Sequence, residues 1–371
     1  MENILFIFKD DPWYYHHIYE KFKLGYNVKK FVLNKNLQHT SKKIIDNINK
    51  IIQIKNIKIV IFDFDYTSIV DKYFVSKIAS EKKALLSFDA EENIKKILSS
   101  YKVFSHYLII EPTIVKEINS LKRSAFLMPL ETNEKLFYKK DQSKSIDVLF
   151  FGELKSDRRN YLDQLKKANI NLVSFENMRN KLSDTEVVDL INKSKIVLNF
   201  SKGINKYSQK KIYYQFKGRL LMSGLCKTFC LSEYSEGQSI HFKKEFPTFK
   251  NPNEMISIVN HLLKNESYLE ELSNQFYREC YNFADINYFH KVKKYLENPG
   301  DFIENKNLVN YSIIRDRIKI YGKKSSKLSL FNEATDLFKY LFLSKKILHI
   351  FLVIYLIFYF VLYYCFYFKK L

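Results

Sequence analysis

The stretch Asp147-Val148-Leu149-Phe150-Phe151-Gly152-Glu153-Leu154-Lys155-Ser156-Asp157-Arg158-Arg159 runs an apolar strand into one glycine, then a short polar loop, then a helix opened by two arginines. Four large apolar residues in a row suit a strand buried on both faces, as in a parallel sheet. The glycine lets backbone approach a ligand, a helix N-terminus attracts an anion, and a guanidinium grips phosphate with two parallel hydrogen bonds. The same letters also fit a plain strand–turn–helix whose arginines face water. The rest of the chain has to decide.

Downstream the pattern repeats: a helix near 159–167, strand 171–175, helix 184–192, strand 195–200, helix 210–223, strand 228–232 and helix 253–263, with helical stretches 268–281 and 286–296 closing the series. Upstream, strands are predicted at 4–8, 28–33, 57–62, 84–88, 107–110 and 125–128, with amphipathic stretches such as 44–54 and 94–98 between them. Alternation of this kind argues for an α/β protein with parallel sheets. The polar run Lys139-Lys140-Asp141-Gln142-Ser143-Lys144-Ser145 interrupts it and reads as a linker. The expected organisation is two Rossmann-like domains, 1–138 and 146–298, facing a cleft that receives the carboxyl ends of their strands.

A second cationic segment, Gln215-Phe216-Lys217-Gly218-Arg219, precedes the apolar strand Phe229-Cys230-Leu231 and then Ser232-Glu233-Tyr234. On a helix Gln215 and Arg219 share a face, and Lys217 joins them only if the helix is irregular or begins there. Two cations beside a strand-end cleft suit a diphosphate leaving group; a solvated basic helix face is the plainer reading. In the first half, Asp89 at the end of strand 84–88 is the candidate acceptor-side base. Asp10-Asp11-Pro12-Trp13 reads first as a turn and His16-His17 as a helix-surface pair. Asp63-Phe64-Asp65-Tyr66-Thr67 looks like the D-x-D-x-T opening of haloacid-dehalogenase phosphatases, although tyrosine replaces the usual glycine and no downstream partners can be placed. An acidic loop at the cleft mouth is the preferred reading.

The segments F-G-E-L-K-S-D-R-R, K-I-V-L-N-F-S, Q-F-K-G-R-L, F-C-L-S-E-Y and K-K-E-F-P-T-F-K-N-P-N-E-M, in this order across 147–296, resemble the C-terminal half of glycosyltransferases grouped with the spore maturation protein CgeB, themselves similar to group-1 glycosyltransferases. Ser87-Phe88-Asp89, residues 107–115 and Phe126-Leu127-Met128-Pro129-Leu130 with Phe137 extend the similarity more weakly into the first half. The resemblance implies a GT-B fold, a nucleotide-sugar donor held mainly by the second domain, and no required metal or other cofactor. By position Gly152 would line the donor phosphates, and Arg158 or Arg159 with Lys217 and Arg219 would neutralise them. Gln215 and Glu233 would lie on the nucleoside side. Many group-1 enzymes also carry two glutamates eight positions apart; Tyr214 and Met222 occupy those places here. That departure keeps open a second reading, a degenerate fold that binds a nucleotide-sugar or glycan without turnover.

Residues 347–368 form a run of 22 residues without a charge, bracketed by Lys345-Lys346 and Lys369-Lys370. As a helix it would be about 33 Å long, enough for a bilayer core of about 30 Å. The expected arrangement is a basic juxtamembrane linker at 299–345 and a transmembrane helix at 346–368. Nine Lys/Arg against three acids between Arg315 and Lys346 would keep the folded domains cytoplasmic. Membrane lipid and a glycan or lipid-linked acceptor are the partners this suggests. The formal net charge of +21 suits anionic partners, but lysine travels with asparagine and isoleucine here, which weakens that signal. No basic–aromatic stacking motif recurs, so nucleic acid is not expected. Cys226, Cys230, Cys280 and Cys365 lack metal-ligand spacing and read as reduced thiols.

Overall fold

A computed structural model describes residues 1–298 except 9–13, 34–35, 37–38, 40, 64–69, 100–102, 122, 130–132, 155–156, 176–181 and 205–211. The expected juxtamembrane linker and transmembrane helix therefore lie outside the described residues, as does most of the Asp63–Thr67 motif. Among the described residues no helix is long and apolar enough to cross a membrane.

The first domain is a six-stranded parallel sheet: β1 (Glu2–Phe8), β2 (Tyr26–Val32), β3 (Ile57–Asp63), β4 (Lys82–Ser87), β5 (His106–Ile109) and β6 (Ala125–Leu127). They lie in the order β2-β1-β3-β4-β5-β6. The connecting helices include α1 (Tyr14–Phe22), α2 (Ser41–Ile54), α3 (Lys72–Ser76), α4 (Ala90–Ser99) and α5 (Pro112–Ser120). Helix α2 shows why the periodicity was readable: Ile44, Ile45, Ile48 and Ile52 fall on one stripe and are all buried.

After an extended linker whose Lys140 ammonium bonds Asp189, a second parallel sheet forms from β7 (Ile146–Phe151), β8 (Leu172–Phe175), β9 (Ser194–Asn199), β12 (Phe229–Glu233) and β13 (Thr248–Phe249). Its order is β13-β12-β9-β7-β8, the same doubly wound plan as the core of the first sheet. Helices α6 (Arg158–Lys167), α7 (Asp184–Asn192), α8 (Arg219–Leu225), α9 (Glu236–His241), α10 (Pro252–Lys264) and α11 (Glu266–Ala284) cover it. Ser183 and Glu186 close a reciprocal capping box that starts α7 where the sequence predicts it. The last helix, α12 (Ile286–Glu297), follows the second domain in sequence yet packs Phe289, Val292 and Leu296 among Ile4, Phe6 and Phe22 of the first.

One element departs from expectation. The helix predicted over 210–223 is instead an antiparallel hairpin, β10 (Lys202–Ile204) with β11 (Ile212–Tyr214), and then the short α8. Tyr213 and Tyr214 are β-formers that pair with Gly203 and Lys202, and Gly218 stands at the helix start. Between hairpin and helix, residues 215–217 belong to neither element.

Candidate active site in the interdomain cleft

Ligands of open α/β sheets bind beyond the carboxyl ends of the strands, where strand order reverses. In the second sheet that point lies between β7 and β9. Strand β7 ends at Gly152, whose φ of 147° is unfavourable for any side chain. An added Cβ there would stand 2.5 Å from an Arg219 guanidinium nitrogen. Arg219 also donates to Asn199 Oδ1 (2.8 Å) at the end of β9 and stacks over the Phe150 and Phe151 rings, 5.4 and 5.7 Å from their centroids. Asn199 is oriented in turn by donating to Ser232 Oγ (2.8 Å). The switch point thus presents a guanidinium fixed by stacking and by its hydrogen bond to Asn199.

Residues 215–217 lie outside both hairpin and helix, so their side chains are not held to one helical face. Phe216 turns into the second core, against the His241 ring at 3.9 Å. Gln215 and Lys217 turn to the cleft, and Arg219 follows at the helix start. Gln215 Nε2 donates across the cleft to Asp89 Oδ1 and Glu91 Oε2, both at 3.3 Å. Lys217 feels Asp89 and Glu91 of the first domain and Arg219 and Arg158 of the second; burial holds its ammonium down to about 8. The three residues converge because the helix begins only at Arg219, not because they share a helical face.

The facing wall comes from the first domain. Asp89 sits in the turn between β4 and α4, and Glu91 lies in the first turn of α4. Glu111 stands between β5 and α5 and is 1% exposed. Its Oε2 accepts the Phe216 N–H at 2.7 Å, and its Oε1 accepts from the Thr113 hydroxyl at 3.0 Å. Burial, with the neighbouring Glu111 charge, pushes the Glu91 carboxyl well above the usual range; burial raises Glu111 too, against the N–H donors that favour its ionised form.

The remaining predicted residues have other surroundings. Arg158 is buried and donates to the carbonyls of Glu153 (2.8 Å) and Lys202 (2.9 Å), so it ties two strand-end loops together. Arg159 is exposed on α6. Glu233 ends β12 buried, its Oε2 accepting the Lys202 N–H at 2.8 Å; burial raises its carboxyl above the ordinary value. Gln215, expected beside the nucleoside, reaches instead to the first domain. Asp63 is buried at the end of β3, at the switch point of the first sheet. Among the described residues no group of His, Cys, Asp and Glu is placed to hold a metal ion.

Glu91, Glu111 and Asn199 escaped the sequence reading, although two carried a signal. Glu111-Pro112 after an apolar run marks a helix start at a strand's carboxyl end, and Asn199 is the polar residue closing an otherwise apolar strand.

Residues 139–297 match the model of a family described as glycosyl transferase-like. No curated protein matches the chain. Among solved structures, a sucrose-phosphate synthase from Thermosynechococcus elongatus superposes with a TM-score of 0.56 at 8% identity, covering 79% of this chain and 98% of that one. HepE of Anabaena, in complex with UDP and glucose, gives 0.56 at 9% identity over 80% of this chain and all of that one (100%). A glycosyltransferase from Rickettsia africae gives 0.51 at 10% identity, covering 79% and 97%. The fold is therefore the GT-B type shared by these structures.

Proposed function

We propose that the chain transfers a glycosyl group from a nucleoside-diphosphate sugar to an acceptor hydroxyl in the cleft between its sheets, without a metal ion. The observation that carries this reading is the Arg219 guanidinium held against Gly152 at the switch point of the second sheet, with first-domain carboxylates opposite. A diphosphate gathers negative charge as its bond to the sugar breaks. Fixed cations then stabilise the transition state more than the ground state. Lys217 and Arg219 supply that charge, Gly152 lines the phosphates, and Arg158 secures the loops around them. Glu233 lies on the nucleoside side. Asp89 takes the acceptor's proton.

The family matched by the second domain supports this chemistry, and the HepE complexes with UDP and UDP-glucose favour a uridine donor. The resemblance of the five quoted segments to the CgeB-like enzymes supports a role within that group. The basic stretch and the uncharged run 347–368 favour a cytoplasmic enzyme on a single C-terminal anchor, acting on a lipid-linked or cell-envelope glycan.

One observation favours the second reading, binding without turnover. Met222 is 4% exposed within the apolar second core, and Tyr214 is a solvent-exposed ring; neither offers a carboxylate to a sugar or ribose. Donor hydrolysis by the purified protein separates the readings. Calorimetric titration of UDP and GDP into the parent and Arg219→Ala tests the site itself, with turnover expected to fall by about 10²–10³-fold in the variant. Arg219→Lys should restore only part, because a point charge lacks the planar fork. Equal affinity of parent and Arg219→Ala for a diphosphate that the parent binds removes Arg219 from the site.

A further inference from the structure

Glu111 is a first-domain residue whose strongest hydrogen bond is to the backbone of the second domain, the 2.7 Å contact from Phe216 N–H. Phe216 lies between Gln215 and Lys217, so the carboxylate grips the centre of the segment that delivers the cations. The contact is built for close approach on its other side too. Gly237 of α9 has no side chain, and a Cβ there would fall 2.3 Å from Glu111 Oε1. A side chain at 237 would push the carboxylate off its present position.

Glu91 completes the arrangement. Its Oε2 accepts from Gln215, while its Oε1 is out of contact with solvent and meets no hydrogen-bond donor among the described residues. A buried carboxylate oxygen in that position is costly when ionised. With a proton, Glu91 becomes a donor, and Glu111 is the neighbouring charge that favours its holding one. Glu111 is the member held ionised, because Phe216 and Thr113 both donate to it.

We infer that Glu111 is a positioning residue that seats the segment 215–219 when the domains close, and that one proton held between Glu91 and Glu111 sets how firmly it does so. The inference rests on the cleft being the donor site. Closure buries both carboxyls, so the closed form binds more protons than the open form. Its advantage is full below the ordinary glutamate range and is lost as pH rises through the raised value of the pair, by at most about tenfold per pH unit for one proton. The other charged and titratable groups around the pair are Asp89 from the β4–α4 turn, Lys217 and Arg219 from the segment itself, Arg158 from α6, and Glu236 and His241 from α9. His241 is held neutral across this range, since burial pushes it down to about 3.

Amide hydrogen exchange at Phe216, measured on the full chain in detergent and corrected for the intrinsic pH dependence of exchange, reads the bond without any ligand. Protection should fall by tenfold or more between pH 5.5 and 8.5 in the parent. Glu91→Gln, a permanent donor, should hold the low-pH protection throughout. Glu111→Gln can still accept from Phe216 N–H but cannot titrate, and should flatten the profile; Glu111→Ala should lose protection at every pH. A parent whose Phe216 protection does not change with pH, or a Glu91→Gln protein that keeps the parental slope, overturns the proposal. UDP supplies the second measurement. Glu111→Ala should weaken UDP binding at least tenfold and Glu111→Gln should restore it. Equal UDP affinity in Glu111→Ala and the parent removes the positioning role. A parent that binds neither UDP nor GDP but shows the exchange behaviour keeps the latch and counts against glycosyl transfer.

Discussion

Replacing Gly152 by alanine separates two effects that meet at one atom. The first is backbone strain: φ at Gly152 is 147°, and forcing a side chain into such a conformation costs about 1–3 kcal/mol. The second is displacement of Arg219. The new Cβ would stand 2.5 Å from the guanidinium nitrogen and 3.2 Å from its central carbon, so the group must move. Moving it costs part of the 2.8 Å bond to Asn199. Hydrogen bonds involving a charged group contribute about 1.5–3 kcal/mol each. The combined loss is about 2–5 kcal/mol. Urea unfolding followed by circular dichroism measures it, and a double-mutant cycle divides it. With Arg219→Ala already present the clash is gone, and Gly152→Ala should cost only the strain of about 1–3 kcal/mol. The coupling between the sites should then be about 0.5–3 kcal/mol, as for residues in contact. Additivity within about 0.3 kcal/mol would mean that the guanidinium does not lie on Gly152, and the donor site drawn around that contact would fall with it.

Lys217 gives a pH signature. Its ammonium titrates near 8, and a bound diphosphate favours the charged form, so nucleoside-diphosphate affinity should be level below pH 8 and decline above it. Calorimetry on Lys217→Gln should show weaker binding without that decline. His241 should govern acid lability. Its folded-state value is lowered from 6.5 to about 3, so the stability it contributes is complete above 6.5 and drains away as pH falls toward 3. Among the described residues neither of its ring nitrogens has a hydrogen-bond partner, and the ring stacks on Phe283 at 3.9 Å. His241→Phe should therefore unfold at lower pH than the parent and gain about 1–3 kcal/mol at pH 5 from removing an unsatisfied polar group. Truncation after Ser344 should release the protein from membranes, with high salt needed if the basic stretch holds it to anionic headgroups. Sedimentation of that truncated, unaggregated protein in high salt would count against the anchor.

How far the fold was legible follows from the range of the interactions that make each element. Strands such as β7 declare themselves in four consecutive apolar residues, and α7 starts at a capping box that spans four residues; both are local, and both elements were readable. The hairpin β10–β11 depends on Lys202 finding Tyr214 across a loop, and no local window over 210–223 contains that partner. The error there had a chemical consequence. A helix would have set Gln215 and Arg219 on one face and turned Lys217 away, whereas the irregular segment before α8 brings Gln215 to Asp89 and Glu91 and buries Phe216 in the second core. The cations were recognisable as residue types; their convergence depended on a backbone conformation set from elsewhere. The carboxylates that face them are more distant still. Gln215 meets Asp89 across 126 positions and Phe216 meets Glu111 across 105. Glu111 has no special chemistry in its own neighbourhood, where it reads as a helix cap before Pro112. Its raised carboxyl, its hold on the segment 215–219 and its demand for a glycine at 237 appear only when a second domain folds against it. A cleft between two domains is assembled from residues that each look ordinary in sequence, which is why the walls were predictable and the contacts across them were not.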